Sequence, residues 1–319
     1  MNQDFKSLSN YLEEKMHLKD LKNQNLAKDS IFITARYRTG STYLYSLFSS
    51  LANVAAFYEP LSYYLVDWLN KDDIESQKTK YWFSHTLKEN YFSEFKSLER
   101  EILMKYYKRE FGITKIVMSG IDKHDKLKDY ITFLLSSHPH KLKVLQFNRI
   151  DFRLPWFKVN FPNALIVNLR RNSRDIYSSY IGLNLRLYDR GQYKFDDDWG
   201  EMIECMGLNE ELNALSEVSI PRFFPHDLNN YEKIYLLNQL SNLWADRFAD
   251  LIIEYESLVQ DPVGLLSKIK SQTSNFELNF KSELIEPRKD RVNVWQQYHS
   301  ESWFKECEAK CDNLIEQIL

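Results

Sequence analysis

The side chains best suited to chemistry in this chain of 319 residues lie together in one segment, Arg36-Tyr37-Arg38-Thr39-Gly40-Ser41-Thr42-Tyr43. Its two guanidinium groups can bind phosphate or sulfonate oxygens through paired N–H donors. Gly40 is the only glycine in the first 111 residues, and a glycine lets backbone N–H groups approach an anion closely. We call residues 36–43 the anion loop. The same residues would also suit an ordinary turn between a strand and a helix, because short glycine motifs carry a false-positive risk.

A second basic pair, Arg170 and Arg171, precedes two serines, Ser178 and Ser179. Seven or eight residues correspond to roughly two helical turns, so an extended arginine and a serine on the facing side of a helix could share one phosphate. Two anion sites, each placed after a strand, would suit a nucleotide with two separated phosphate groups.

Strands and helices alternate along the chain, and they must position both basic groups. Short apolar and β-branched runs typical of core strands occupy residues 30–35, 54–57, 112–118, 143–147, 164–169 and 251–255. Helical spacing begins directly after the anion loop. This alternation predicts an α/β fold with a parallel sheet of about five strands and helices on both faces. Functional residues of such folds lie at the carboxyl ends of the strands, where both basic groups occur.

Composition and charge exclude several classes of protein. The net charge of −3 provides no global attraction to nucleic acid or to an anionic membrane. The three cysteines, Cys205, Cys307 and Cys311, are too few for a disulfide framework and fit a reducing compartment. The polar segment 1–28 has no apolar signal region, and no run of about eighteen apolar residues could span a membrane. The sequence predicts a cytoplasmic protein with a single domain, 1–319, in which 1–28 is an N-terminal arm or helix.

Three segments resemble, in the same order, motifs of the PAPS-dependent sulfotransferase family, where PAPS is 3′-phosphoadenosine 5′-phosphosulfate. Residues 36–42 resemble the 5′-phosphosulfate loop, 165–180 resemble the 3′-phosphate motif, and 253–262 are similar to the Tyr-Glu-Asp-Leu-x-x-Asp-Pro segment. Arg38 stands where the cytosolic members have lysine. The chain therefore looks closer to carbohydrate and bacterial sulfotransferases than to the cytosolic enzymes that act on small molecules.

The resemblance implies a P-loop NTPase-like three-layer sandwich that takes PAPS as donor, releases PAP and requires no metal. It places Arg171 and Ser179 on the 3′-phosphate, with Ser173 where the family usually has proline. Arg288 is a further candidate, but its segment Arg288-Lys289-Asp290 lacks the glycine of the cytosolic Arg-Lys-Gly motif. The remaining donor-binding positions are those of the anion loop, namely Arg36, Arg38, Thr39, Gly40, Ser41, Thr42 and Tyr43.

The reaction that the resemblance implies is in-line transfer of the sulfonate to a hydroxyl or amine of an acceptor. Arg38 is the candidate for stabilising charge on the leaving oxygen. Glu59 resembles the catalytic glutamate of carbohydrate and related bacterial sulfotransferases, and it is the preferred general base. His124 is the rival, because cytosolic members use a histidine in that region of the chain.

The acceptor site is expected in two segments: 61–110, which is rich in aromatic and charged residues, and 183–229, which breaks the regular alternation. Their aromatic residues could stack on a sugar or bind an apolar chain, although each would suit a core equally well. These residues are Tyr63, Tyr64, Trp68, Trp82, Tyr188, Tyr193 and Trp199. The expected acceptor is a carbohydrate, a glycolipid or another small metabolite, and assembly into a homo-oligomer is left open.

Two other functions compete with sulfonate transfer. A P-loop kinase or NTPase would need Gly-x-x-x-x-Gly-Lys-Ser/Thr and a metal-holding aspartate. No lysine follows Gly40, no glycine precedes it, and Asp122 is the nearest candidate for the metal. The other alternative is a nucleotide-binding protein without catalytic activity, which the absence of a general base would favour.

Overall fold

A computed structural model of the chain describes residues 29–69, 92–189, 207–219, 223–273, 277–281 and 283–318. The predicted N-terminal arm 1–28 lies outside these residues, as do parts of the predicted acceptor segments 61–110 and 183–229. The strands are β1 (Ser30–Ala35), β2 (Val54–Tyr58), β3 (Leu142–Asn148), β4 (Ala164–Arg170) and β5 (Leu251–Glu254).

Helices occupy most of the connections between the strands. Up to β3 they are α1 (Ser41–Ser49), α2 (Leu65–Leu69), α3 (Ser93–Lys96), α4 (Arg100–Tyr106) and α5 (Asp125–Ser136). Between β3 and β5 they are α6 (Leu154–Asn160), α7 (Ser173–Asp189), α8 (Leu208–Val218) and α9 (Asn230–Phe248). After β5 they are α10 (Tyr255–Gln260), α11 (Pro262–Lys270) and α12 (Glu301–Ile318).

The strands form one parallel sheet in the order β2-β3-β1-β4-β5. β1 is central and fully buried, so that the anion loop leaves the middle of the sheet at its carboxyl end. The connection from β1 to β2 runs toward one edge, whereas those from β3 to β4 and from β4 to β5 run toward the other. Because such crossovers are right-handed, their helices lie on opposite faces of the sheet. The predicted α/β three-layer fold with a five-stranded parallel sheet is confirmed.

The strand predicted at 112–118 is wrong. A 3₁₀ turn, Arg109–Gly112, ends there, and Lys115 adopts a left-handed backbone with φ 49°, which breaks an extended run. The buried guanidinium of Arg153 donates to the carbonyls of Phe111 (2.7 Å) and Thr114 (2.8 Å). These backbone carbonyls therefore accept hydrogen bonds from a side chain rather than from a neighbouring strand. The short strand β2 instead completes the five-stranded sheet.

A second hydrophobic cluster joins α7, α8, α9 and α12 beside the sheet. Asn229 and Glu232 form a capping box at the start of α9, which fixes the helix that leads into β5. Cys307 and Cys311 are buried in this cluster as free thiols. Within the part of the chain that the structure describes, none of the helices combines the length and the apolar character needed to cross a membrane.

Candidate functional site

The anion loop makes a tight turn between β1 and α1. Arg38 and Gly40 both adopt left-handed backbone conformations, with φ 68° and φ 96°. A Cβ atom on Gly40 would lie 2.4 Å from the ring of Tyr255, so both the backbone angle and the close approach require glycine. The N–H groups of Tyr43 and Leu44 bond to the Gly40 carbonyl, and those of Ser41 and Thr42 belong to the first helical turn, which has no intrahelical acceptor for them.

A cavity of about 190 Å³ opens beside this helix terminus. We call it the anion cavity. Its walls are formed by the anion loop, by Arg171 after β4 and Ser179 of α7, by Tyr255, and by residues of the segment 285–294. The sequence-predicted residues Arg38, Gly40, Ser41, Thr42, Tyr43, Arg171, Ser179 and Arg288 all line it. The structure thus brings together side chains from four separate parts of the chain.

Arg171 ties the walls of the anion cavity together. Its guanidinium donates to the carbonyl of Arg38 (2.8 Å) and to the carbonyl of Arg291, and it stacks over Tyr255 at 4.4 Å from the ring centroid. The side chain is buried, and its Nε finds no hydrogen-bond partner within the described ranges. Burial lowers the pKa of Arg171. A buried guanidinium with an unsatisfied N–H is suited to receive an anion.

The two serines of α7 have different roles. Ser178 turns its hydroxyl back to the carbonyl of Arg174 within the helix, at 2.8 Å. Ser179 instead accepts a hydrogen bond of 3.0 Å from Nε of Arg38, so its hydroxyl faces the anion loop. Arg171 and Ser179 both line the anion cavity, and their joint contact with one phosphate stays a prediction.

The segment 285–295, which we call the tail segment, closes one side of the cavity. Arg288 and Arg291 both line the cavity, and the Tyr255 hydroxyl donates to the Arg288 carbonyl at 3.4 Å. The buried carboxylate of Asp175 accepts the N–H groups of Asn293 (2.7 Å) and Trp295 (3.3 Å). The first turn of α7 thus holds the tail segment against the cavity.

Two predicted residues of the anion loop point elsewhere. The guanidinium of Arg36 is buried in ion pairs with Asp151 (2.8 Å) and Glu211 (2.5 Å), whose charges raise its pKa against the opposing effect of burial. Thr39 is fully buried, and its hydroxyl donates to the Arg36 carbonyl at 2.7 Å. Neither side chain lines the anion cavity, so each stabilises the loop rather than facing a ligand there.

Glu59 follows β2 and lines a small second cavity of about 20 Å³, which we call the Glu59 cavity. Asn148 donates its amide N–H to the Glu59 carboxylate. Burial raises the pKa of Glu59 to about 7, while a hydrogen bond from Tyr58 and the charge of Arg149 oppose the rise. The Tyr58 hydroxyl also shares a hydrogen bond of 3.0 Å with Thr42 of the anion loop, which ties the end of β2 to that loop.

His124 lies at the start of α5, half-buried between the rings of Phe111 (5.5 Å) and Trp156 (6.4 Å). Burial and the neighbouring cations Lys115 and Arg153 lower its pKa. It lines neither the anion cavity nor the Glu59 cavity. Asp122, the candidate of the NTPase alternative, is exposed and caps the local turn by accepting from the N–H and hydroxyl of Ser119.

Sequence reasoning missed several charged residues around these cavities. Arg149 and Arg153 line the Glu59 cavity, and Arg291 lines the anion cavity. Arg149 directly follows β3, so inspection of every strand end would have found it. Glu211 belongs to α8 and carries no local signal of its pairing with Arg36. Among the described residues, no group of three or more His, Cys, Asp or Glu side chains could hold a metal ion.

Comparison with protein families gives a match over most of the chain. A sequence model of the sulfotransferase family matches residues 30–273. No curated protein sequence matches significantly.

Among solved structures, a sulfotransferase from Alicyclobacillus acidocaldarius shares 14% identity, with 92% of this chain and 98% of that one covered at a TM-score of 0.43. The sulfotransferase domain of the Synechococcus PCC 7002 olefin synthase shares 13%, with 93% and 98% covered at 0.44. A sulfotransferase, STF9, from Mycobacterium avium shares 12%, with 95% and 79% covered at 0.42.

Replacement of Glu59 by glutamine should change how stability depends on pH. Each pKa unit corresponds to about 1.4 kcal/mol, so a rise from 4.5 to about 7 means that ionising Glu59 costs the folded protein on the order of 3 kcal/mol. The wild type should therefore lose that stability relative to Glu59→Gln as the pH rises from about 4.5 to about 7. Urea unfolding of both proteins across this range measures the difference, and parallel curves would contradict a half-buried Glu59 that retains its proton.

Proposed function

Because the chain belongs to the sulfotransferase family, we propose that it transfers the sulfonate group of PAPS to a hydroxyl or amine of a small-molecule or glycan acceptor. The anion cavity is the observation that carries this proposal. It brings the N-terminus of α1 and Arg38 together with Arg171 and Ser179, and these groups could hold the two phosphate groups of one nucleotide.

The side chains present fit such a donor. Both Nε of Arg171 and the hydroxyl of Tyr43 are buried and lack hydrogen-bond partners among the described residues, and both residues line the cavity. A phosphate oxygen would satisfy such buried donors, which otherwise cost free energy. We assign the 3′-phosphate to Arg171 and Ser179, and the 5′-phosphosulfate to Arg38 and the N–H groups of Ser41 and Thr42.

The bound donor supplies an activated sulfonate, and this chain's residues must position it and stabilise charge. Arg38, held by its bond to Ser179, is placed to stabilise the negative charge that develops on the leaving oxygen. The first N–H groups of α1 add fixed dipoles aimed at the same anion. Arg36 acts indirectly, because its buried ion pairs anchor the start of the loop. Arg288 and Arg291 line the cavity from the tail segment, where both pair with Asp290.

Glu59 is the proposed general base. A pKa of about 7 lets it exist as a carboxylate near neutral pH and still accept a proton from the acceptor. It lines a cavity bordered by Tyr37 of the anion loop, whereas His124 packs between aromatic rings away from both cavities. We therefore assign the base to Glu59 over His124.

The acceptor would enter from the side of the Glu59 cavity. Tyr63 and Tyr64 follow Leu61, which lines that cavity, and both are exposed with their rings 5.3 Å apart. They are suitable for stacking on a sugar ring or an apolar chain. The other aromatic candidates, Trp68, Trp82, Tyr188, Tyr193 and Trp199, have side chains outside the described part of the chain. The acceptor's identity, the cytoplasmic location and any homo-oligomer stay predictions.

Binding of PAP tests the donor assignment. Arg171→Met should weaken PAP binding at least about tenfold in isothermal titration calorimetry, because a charge-assisted hydrogen bond is worth about 1.5–3 kcal/mol. Arg170→Met is the matched control, since the Arg170 side chain bonds to Asn242 and Asp246 instead and should leave binding unchanged.

The same titration distinguishes the NTPase alternative. PAP should bind the wild type without magnesium, and ATP with magnesium should bind far more weakly. Tight binding of Mg·ATP together with no binding of PAP would contradict sulfonate transfer as the function.

Transfer of labelled sulfonate from PAPS in an acceptor screen tests the base. Glu59→Gln should lose about 10²- to 10⁴-fold in rate, the usual contribution of a general base. His124→Gln should keep at least half of the wild-type rate. The reverse pattern would assign the base to His124.

A further inference from the structure

A cluster of charged side chains surrounds the Glu59 cavity and extends to the base of the anion loop. Arg149 and Arg153 line the cavity with Glu59. Next to them, Arg36 pairs with Asp151 and Glu211, both of which are 0% exposed. These six residues come from four segments of the chain, and the function proposed above uses only Glu59, as the base, and Arg36, which anchors the anion loop.

Arg149 is fixed within this cluster more tightly than a surface arginine would be. It follows β3 in a left-handed conformation, with φ 60°. Its guanidinium stacks over Tyr37 at 5.6 Å from the ring centroid and donates to the Gly112 carbonyl at 3.3 Å. A Cβ atom on Gly207 would lie 2.2 Å from its Nη1, so the glycine at the start of α8 leaves space for it.

The groups around Glu59 differ in how they affect its charge. Tyr58 and Asn148 provide hydrogen bonds, and Tyr37 stays neutral at physiological pH because burial raises its pKa to about 12. Arg153 donates to backbone carbonyls, and its pKa of about 10 keeps it protonated near neutral pH. Arg149 is the cation whose charge opposes the effect of burial on the Glu59 carboxyl.

The charges of the cluster balance only when Glu59 is ionised. Arg36, Arg149 and Arg153 carry three positive charges, while Asp151 and Glu211 carry two negative ones. The carboxylate of Glu59 cancels the remaining charge. The positive charge of Arg149 therefore favours the ionised form of Glu59, although desolvation outweighs it and keeps the pKa of Glu59 above its usual range.

We propose that Arg149 is a positioning residue for the base: its guanidinium, held between Tyr37, Gly112 and Gly207, favours the ionised form of Glu59, which can accept a proton. When the acceptor oxygen bonds to sulfur and the bond from sulfur to the leaving oxygen breaks, the acceptor proton passes to Glu59 and later to solvent. The inference rests on the proposed role of Glu59, but its test needs neither PAPS nor an acceptor.

The test measures the titration of Glu59 by its effect on the free energy of unfolding. The unfolding free energy of the wild type minus that of Glu59→Gln, measured in urea from pH 4 to 10, should level off near the folded-state pKa of Glu59, about 7. The same difference is then measured in an Arg149→Met background. We call the pH at which this difference levels off the upper bend. Loss of a neighbouring opposite charge should move the upper bend to higher pH by about one unit or more.

A matched control removes a distant positive charge. Lys310 lies on α12 and pairs with Glu232 at 2.8 Å. In a Lys310→Met background the bend should stay at the wild-type pH. An unchanged bend in folded Arg149→Met would overturn the proposal, as would an equal shift in both backgrounds.

Two further variants keep the test decisive if Arg149→Met does not fold. Arg149→Lys retains a charge but loses the planar fork that bonds to Gly112 and stacks on Tyr37. Gly207→Ala keeps Arg149 but places a methyl group where its Nη1 lies. Both variants should move the upper bend to higher pH, by less than Arg149→Met does. An unchanged bend in both would overturn the proposal. Absence of PAP binding or sulfonate transfer would instead refute the proposed function and leave the titration result standing.

Discussion

The guanidinium of Arg171 connects the parts of the chain on which the site depends. One end bonds to the Arg38 carbonyl, inside the left-handed turn of the anion loop, and the other bonds to the Arg291 carbonyl of the tail segment. Stacking on Tyr255 fills the space beneath it, and the same ring excludes any side chain at position 40. Because its nitrogens are already held by carbonyls, the remaining Nε is preorganised, and a bound phosphate would not have to order it.

Successive side chains of the anion loop lie in different parts of the site. Arg36 is buried against Asp151 and Glu211, Tyr37 borders the Glu59 cavity, and Arg38 faces the anion cavity. The loop therefore borders both cavities, and its Thr42 bonds to Tyr58 at the end of β2.

Much of this architecture follows from local sequence. The strand at 30–35, the glycine turn and α1 could be predicted because apolar runs, glycine and helical spacing act over a few residues. The prediction of a strand at 112–118 was wrong because Arg153, about forty residues away, donates hydrogen bonds to backbone carbonyls there. The pairing of Arg36 with Glu211 spans 175 positions and leaves no pattern in the chain. Long-range contacts between buried charges depend on tertiary packing, which composition and periodicity do not encode.

A crystal structure with PAP bound tests the central claim most directly. The account predicts the 3′-phosphate within hydrogen-bond distance of Arg171 and Ser179, and the 5′-phosphate at the N–H groups of Ser41 and Thr42 with Arg38 beside it. The tail segment should stay in contact with Arg171 through the Arg291 carbonyl. Phosphates bound outside the anion cavity, or bound at the loop with their order reversed, would contradict it.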